Sequence, residues 1–299
     1  MVARGSLTRL IKAKKSLGQN FLTDHQIARR IVDAVAPLAT DIVVEIGSGT
    51  GALTRMLVER SAYVVAIEID PRLVQELQAS LRADNLSIVA ADALTVDWAE
   101  LIAHAKSRVN SIRPFDRGRN RVRIVANLPY YISTPIIERL LSLGGQLFDM
   151  TLMLQREVAD RVTTGPGSKE YGYLSVMVQY YCSATKLFEV PSWAFTPAPK
   201  VQSAVIKLTV RERPPVEVAD SARFFALVRA AFAQRRKTIL NNLKAAKGLE
   251  FSQPPEMALE AAFVEPRRRA ETLSLAEFAA LCLWMMRGVP HECGAMNFA

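Results

Sequence analysis

Near the middle of the chain an apolar run ends in residues suited to holding a planar amine. Residues 123–131 read R-I-V-A-N-L-P-Y-Y, with Asn127, Leu128, Pro129 and Tyr130 closing the run. The side-chain oxygen of Asn127 and a backbone carbonyl at Leu128 can each accept one N–H of an exocyclic amino group. The Tyr130 ring can stack on the plane that carries it. Such an amine is a poor nucleophile, because its lone pair is delocalised into the ring. Two acceptors that favour a tetrahedral nitrogen restore part of that lone pair without a strong general base. A strand ending in a proline turn is the plainer alternative.

A second group of residues supplies the other half of a reaction. Residues 42–51 read I-V-V-E-I-G-S-G-T-G, a buried strand followed by a glycine-rich turn and a helix. The spacing is G-x-G-x-G, not the G-x-G-x-x-G of dinucleotide binders, and no lysine follows, which excludes a P-loop. The next strand, Y-V-V-A-I-E-I-D, ends in Glu68 and Asp70, and a third, L-S-I-V-A-A-D-A, leads to Asp92. An acid about 20 residues beyond the first glycine suits the two hydroxyls of a ribose. A carboxylate at the end of the third strand suits an adenine amino group. Each acid alone could be a helix cap or a solvated loop charge, but three successive strand ends form a constellation. The ligand implied is an adenosine without a demanding phosphate, and S-adenosylmethionine fits. A methyl donor beside an amine clamp gives N-methylation by in-line displacement at the sulfonium methyl.

These motifs, with others in the same order, resemble the small-subunit (16S-type) ribosomal RNA adenine N6-dimethyltransferases, the kasugamycin-sensitivity methyltransferase family. K-K-S-L-G-Q-N-F-L (Lys14 to Leu22) is similar to the family's N-terminal signature, and F-T-P-A-P-K-V-Q-S (Phe195 to Ser203) and Q-R-R-K-T-I-L (Gln234 to Leu240) follow the central motifs. The glycine turn is shared widely among methyltransferases; the first and last two segments are the specific ones. The resemblance covers nearly the whole chain. It implies that Asn20, Leu22, Gly47, Glu68, Asp92 and Asn127 line the cofactor site. It also implies that Phe195 stacks on the target adenine opposite Tyr130; Trp193, two residues earlier, is read as simply packing beneath the loop. The implied activity is transfer of two methyl groups to each of two adjacent adenines in a hairpin near the 3′ end of the small-subunit RNA. The expected product is S-adenosylhomocysteine, no metal is expected, and the partner is the small subunit or its assembly precursor.

The elements that must position these residues follow from the pattern. Strands are expected at 42–46, 63–68, 86–91, 122–126, 150–155, 184–190 and 202–210, with helices between most of them. Asp24 is placed to cap a helix running to about Val35. This is an α/β fold, a doubly wound Rossmann-like sheet of seven strands with the last antiparallel. Residues 1–210, including a basic N-terminal arm, form the methyltransferase domain, R-E-R-P-P at 211–215 is the linker, and 216–299 form a small all-α RNA-binding domain. There Phe224, Phe225, Val228, Ala231, Phe232, Ile239 and Leu243 keep a helical period. Arg235 falls inside that apolar stripe. Either it is paired, or the helix breaks, or it meets phosphate. Ser274 and Glu277 form a capping box, with Leu273 and Phe278 as a hydrophobic staple.

Composition narrows the partner. The 299 residues carry a formal net charge of +9, which points to a polyanion. The positive charge gathers in separate clusters: Lys12, Lys14 and Lys15; Arg117, Arg119, Arg121 and Arg123; Arg235, Arg236 and Lys237; and Arg267 to Arg269. Lys14, Lys15, Lys200, Arg235, Arg236 and Lys237 are the expected RNA contacts, and the Arg-rich stretch 104–121 reads as a solvated surface insertion. Three scattered cysteines without a C-x-x-C pair fit a reducing, cytoplasmic setting. No secretory signal or membrane span is legible, and a monomer is expected. Three competing readings remain: a macrolide-resistance type acting on large-subunit RNA, an assembly factor without catalysis, and a protein glutamine methylase with an Asn-Pro-Pro-Tyr clamp. Q-R-R-K-T-I-L argues against the first, the intact Asn127 motif and acids against the second, and the basic clusters and Phe195 against the third.

Overall fold

The computed structural model describes residues 12–111, 116, 120–249 and 252–286. The first unit, Met1–Ala159 with Ala184–Val210, is built on a sheet. Its elements in chain order are β1 (Phe21–Leu22), α1 (His25–Val35), β2 (Ile42–Ile46), α2 (Thr54–Val58), β3 (Tyr63–Glu68), α3 (Pro71–Ser80), β4 (Leu86–Ala90), α4 (Trp98–Asn110), β5 (Val122–Asn127), α5 (Ser133–Leu141) and β6 (Asp149–Gln155). After α6 (Arg156–Thr163) and α7 (Tyr173–Tyr181) come β7 (Cys182–Val190), β8 (Phe195–Thr196) and β9 (Ser203–Val210). Strands β2 and β3 are buried at every residue, as parallel strands covered on both faces must be.

The seven-stranded sheet has the order β4-β3-β2-β5-β6-β9-β7. Strands β4, β3, β2, β5 and β6 run parallel, and β9 is antiparallel to β6. The chain winds outwards from β2 to β4, then crosses back to β5 on the other side of β2. That reversal opens a crevice at the carboxyl ends of β2 and β5, where doubly wound sheets bind ligands. Ile46 pairs with Ala126, so Gly47 and Asn127 come next to one another. Asp24 caps α1 as expected, accepting the Ile27 N–H at 2.8 Å.

A second, two-stranded sheet has no counterpart among the expected strands. Strands β1 and β8 pair antiparallel, with Phe21 opposite Thr196 and Leu22 opposite Phe195. It ties the N-terminal motif to the F-T-P-A-P-K-V-Q-S motif. At the opposite end of the strands, Arg123 is buried at 4% exposure. It donates to Asp41 at 2.7 Å and to Asp149, whose carboxylate also pairs with Lys207 at 3.2 Å. The Arg121 guanidinium lies 3.9 Å from the Phe148 ring centroid. Arg123 is therefore a structural charge, not part of an RNA-facing cluster, and Arg117 and Arg119 lie outside the described residues. The stretch 104–121 also opens as helix, since α4 runs to Asn110.

The second unit comprises Asp160–Ser183 and Arg211–Ala299. A division at 210 keeps 160–183 with the sheet. Packing groups them with the helices instead, because Tyr171, Val176 and Tyr180 are buried in the core that Phe224, Phe225 and Phe278 build. Its further helices are α8 (Ser221–Ala231), α9 (Ile239–Lys244), α10 (Pro255–Ala261) and α11 (Leu275–Met286). The charge inside the apolar stripe is resolved by a break and a partner: α8 stops at Ala231, Arg235, Arg236 and Lys237 stand exposed on the turn before α9, and the Arg235 guanidinium donates to the Lys169 carbonyl. The capping box of α11 forms, with Ser274 N–H donating to Glu277 at 2.7 Å and Glu277 N–H to Ser274 Oγ at 3.2 Å. No helix among the described residues is long and apolar enough to cross a membrane.

Candidate active site

A single cavity in the sheet unit brings together Asn20, Leu22, Gly47, Glu68, Asp92, Asn127, Leu128 and Tyr130. Its floor is the glycine turn after β2. Gly47 has φ of 72°, a left-handed conformation that favours glycine, and a Cβ there would stand 3.7 Å from the Asn127 carbonyl oxygen. Gly51, with φ of 82°, also favours glycine, and a Cβ there would stand 2.6 Å from Leu77 Cδ1, so the leucine would have to shift.

Two carboxylates present themselves from adjacent strand ends. Glu68 ends β3; its Oε2 accepts the Gly49 N–H and its Oε1 the Asp70 N–H, both at 2.9 Å. Burial raises its pKa, and those backbone donors oppose the rise. The same two bonds fix the carboxylate against the glycine turn, leaving further lone pairs for a ligand's hydroxyls. Asp92, just past β4, accepts the Leu94 N–H on Oδ1 at 2.9 Å. Asp70, in contrast, is structural. It caps α3 and binds Arg72, Gln19 and Lys14. The Arg72 guanidinium, first among these, holds its carboxyl well below the usual range. Lys14, an expected RNA contact, is thus paired at 3.2 Å within the protein. Lys15 and Lys200 are exposed.

The amine clamp is held from two directions. Asn127 Nδ2 donates to the Asn20 carbonyl at 3.2 Å, which turns the amide so that Oδ1 remains the free acceptor. The Tyr130 hydroxyl and Ser203 Oγ lie 2.7 Å apart, which ties the ring to the first residue of β9. Tyr131, 62% exposed, also lines the cavity.

Phe195 does not line it. Opposite Leu22 in the small ribbon, Phe195 is 4% exposed and packs with Leu22, Ala194 and Val205. Trp193, expected to pack beneath the loop, is 68% exposed. Burial is the reverse of that expected, because pairing of Phe195 with Leu22 in the ribbon turns its ring to the core and leaves Trp193 outside.

Sequence reasoning missed three contributors. Ser48 is buried, lines the cavity, and its Oγ has no partner within the protein. Glu45 also lines it, buried beneath the turn, with Thr54 Oγ1 donating to it at 2.6 Å. Burial pushes its carboxyl up to about 8. Ile69 is a half-exposed apolar residue between two acids, an arrangement that a strand end without a ligand would not favour, and it forms one wall.

The donor set fits S-adenosylmethionine. Acids stand where an adenine amine and a ribose need acceptors, a glycine turn admits close approach, and an orphaned buried hydroxyl awaits a polar partner. Comparison with known proteins gives a consistent picture. Residues 10–281 match the model of a family described as ribosomal RNA adenine dimethylase. A ribosomal RNA small subunit methyltransferase A from Geobacillus thermodenitrificans is 49% identical over 271 residues, covering 90% of this chain and 89% of the relative. The protein of that name from Streptococcus sanguinis is 47% identical, covering 90% of each. Among solved structures, a dimethyladenosine transferase from Plasmodium falciparum superposes with a TM-score of 0.70 at 27% identity, over 88% of this chain and 96% of that one. The 23S rRNA methyltransferase ErmE gives 0.62 at 26% identity, over 90% and 100%.

Proposed function

The chain belongs to the ribosomal RNA adenine dimethylase family, and we propose that it methylates N6 of two adjacent adenines in a hairpin near the 3′ end of small-subunit ribosomal RNA, yielding N6,N6-dimethyladenines. The observation that carries this reading is the clamp: Asn127, oriented by Asn20, at the mouth of a cavity shaped for adenosylmethionine. That relatives nearly half identical are small-subunit methyltransferases, whereas ErmE is 26% identical, favours the small-subunit substrate over the large-subunit one.

S-adenosylmethionine, when bound, supplies an electrophilic methyl group on a sulfonium. The residues supply everything else. Glu68 accepts from the ribose hydroxyls, Asp92 from the adenine amine, and Ser48 gives its unpaired hydroxyl to the cofactor's polar end. Asn127 Oδ1 and the Leu128 carbonyl accept the two N–H groups of the target amine and draw its nitrogen towards a tetrahedral, nucleophilic state. Tyr130, fixed through Ser203, stacks on the target base. That base must leave its helix stack to arrive there, which costs a few kcal/mol. The clamp accepts hydrogen bonds without removing a proton beforehand; the nitrogen becomes acidic only once it carries the methyl group and then releases its proton to water, so no strong general base has to stand beside the amine. Incubating the protein with labelled adenosylmethionine and unmodified small subunits, then mapping the modified nucleotides, tests this. Label on two neighbouring adenines is expected; label on protein or on large-subunit RNA would replace the reading.

A further inference from the structure

Helix α10 ends in a hydrogen-bond pattern that favours glycine. The Val264 N–H donates to the Leu259 carbonyl at 2.8 Å and the Phe263 N–H to the Glu260 carbonyl at 3.0 Å, the paired bonds of a Schellman stop. That stop requires a left-handed residue at the position following the cap, which is why glycine is usual there. This chain has Phe263, with φ of 55°. A bulky side chain in that region is strained. No burial offsets the strain: Phe263 is 95% exposed, more than any other large hydrophobic residue among those described, while Val264 beside it is buried and closes the turn. The backbone and the solvation of the ring are both unfavourable, and glycine would relieve both. Strain of this kind persists where a binding surface uses it.

The surroundings indicate the partner. The Ile239 N–H donates to the Arg268 carbonyl at 2.7 Å and the Leu240 N–H to the Pro266 carbonyl at 3.4 Å. The segment after Phe263 is therefore stitched to the start of α9, beside the exposed turn of Arg235, Arg236 and Lys237. Two basic clusters far apart in the chain become neighbours, with Arg267 and Arg269 exposed on the second. Arg268 is engaged elsewhere, holding Glu277 and Thr272, and Arg269, though exposed, stands 4.0 Å from Glu271. A solvent-facing ring at the head of a segment that carries exposed arginines suits a nucleotide base flanked by phosphates better than an apolar protein face.

We propose that Phe263 is an RNA-stacking residue, on which an unpaired base of the small-subunit RNA packs while Arg267 and Arg269 meet adjacent phosphates. It rests on the reading that the substrate is ribosomal RNA, and it assigns a contact in the helical unit, separate from the target-base cavity of the sheet unit.

The test uses Phe263→Gly and Phe263→Trp in the full chain, measuring thermal unfolding and equilibrium binding to unmodified small subunits and to protein-free small-subunit RNA. The glycine variant should melt about 2–4 °C higher, because strain is relieved. It should also bind both RNAs at least about fivefold more weakly, because the ring no longer stacks. The tryptophan variant should keep the parental affinity. A glycine variant that melts higher and binds like the parent overturns the proposal, as does one that melts lower, which would make the ring structural. Weaker binding to subunits but not to bare RNA would assign Phe263 to a ribosomal protein and overturn the RNA contact. A parent that bound neither RNA would overturn the ribosomal reading itself, and this inference with it.

Discussion

The side-chain amide of Asn127 donates to the backbone carbonyl of Asn20 at 3.2 Å. One hydrogen bond thus joins the residue that would hold the target amine to the segment that forms one wall of the cofactor cavity. That segment is in turn anchored by Gln19 and Lys14 on Asp70, and Phe21–Leu22 pair with Phe195–Thr196. The N-terminal motif is therefore tied both to the clamp residue and to the F-T-P-A-P-K-V-Q-S segment.

The buried carboxyl beneath the glycine turn gives a pH signature. Glu45 is raised from the usual 4.5 to about 8, so between those values the folded chain keeps a proton that the unfolded chain has lost. The stability contributed by the protonated group is full below about 4.5 and is lost as pH rises through 8, on the order of a few kcal/mol. Glu45→Gln imitates the protonated form and should flatten this fall. Thermal melts of both proteins from pH 5 to 9 check it; parallel curves would mean that Glu45 is already ionised in the fold. Glu68 shifts in the same direction and its charge helps to raise Glu45, so the difference between the two proteins reports Glu45 together with that coupling.

Phe195→Ala should act on folding before it acts on chemistry. The ring is buried with Leu22, Ala194 and Val205, and emptying such a site costs about 3–5 kcal/mol. Denaturant titration should record that loss. A variant of unchanged stability but reduced methyl transfer would restore Phe195 to a stacking role at the target base.

The turn before α9 should dominate the salt dependence of RNA binding. Replacing Arg236 and Lys237, both exposed, should lower affinity and reduce the slope of log K against log salt by about one for each phosphate no longer neutralised. Arg235 is left in place because its guanidinium donates to the Lys169 carbonyl and so has a structural task. An unchanged slope, measured on small subunits by filter binding or a comparable assay, would remove the turn from the RNA interface.

Much of the fold and the cavity is legible in the sequence. The five parallel strands are mostly apolar runs, and their ends carry the glycines, Glu68, Asp92 and Asn127 that chemistry requires, so residue type and position point the same way. What escapes is pairing at long range. Phe21–Leu22 and Phe195–Thr196 are too short to show a period, and only their pairing shows that Phe195 points inwards and Trp193 outwards. Arg123 reads as one of a cluster of surface cations until the fold sets Asp41 and Asp149 beside it. Helical period places Arg235 in an apolar stripe, with a helix break left open as one explanation, and packing of the helical unit selects that break. Residues 160–183 sit between two sheet strands in sequence, yet Tyr171 and Tyr180 are buried among α8 and α11, a placement no local pattern announces.

Asn127 is the residue on which the chemistry turns. Single-turnover methyl transfer, measured with saturating adenosylmethionine and pre-bound unmodified small subunits, compares the parent with Asn127→Ala free of differences in RNA affinity. Loss of an acceptor that acts on the nucleophile in the transition state should lower the rate at least about 10²-fold. RNA affinity should change little, because phosphate contacts dominate such interfaces. A folded Asn127→Ala protein that transfers methyl groups at the parental rate would contradict the amine clamp and the mechanism built on it.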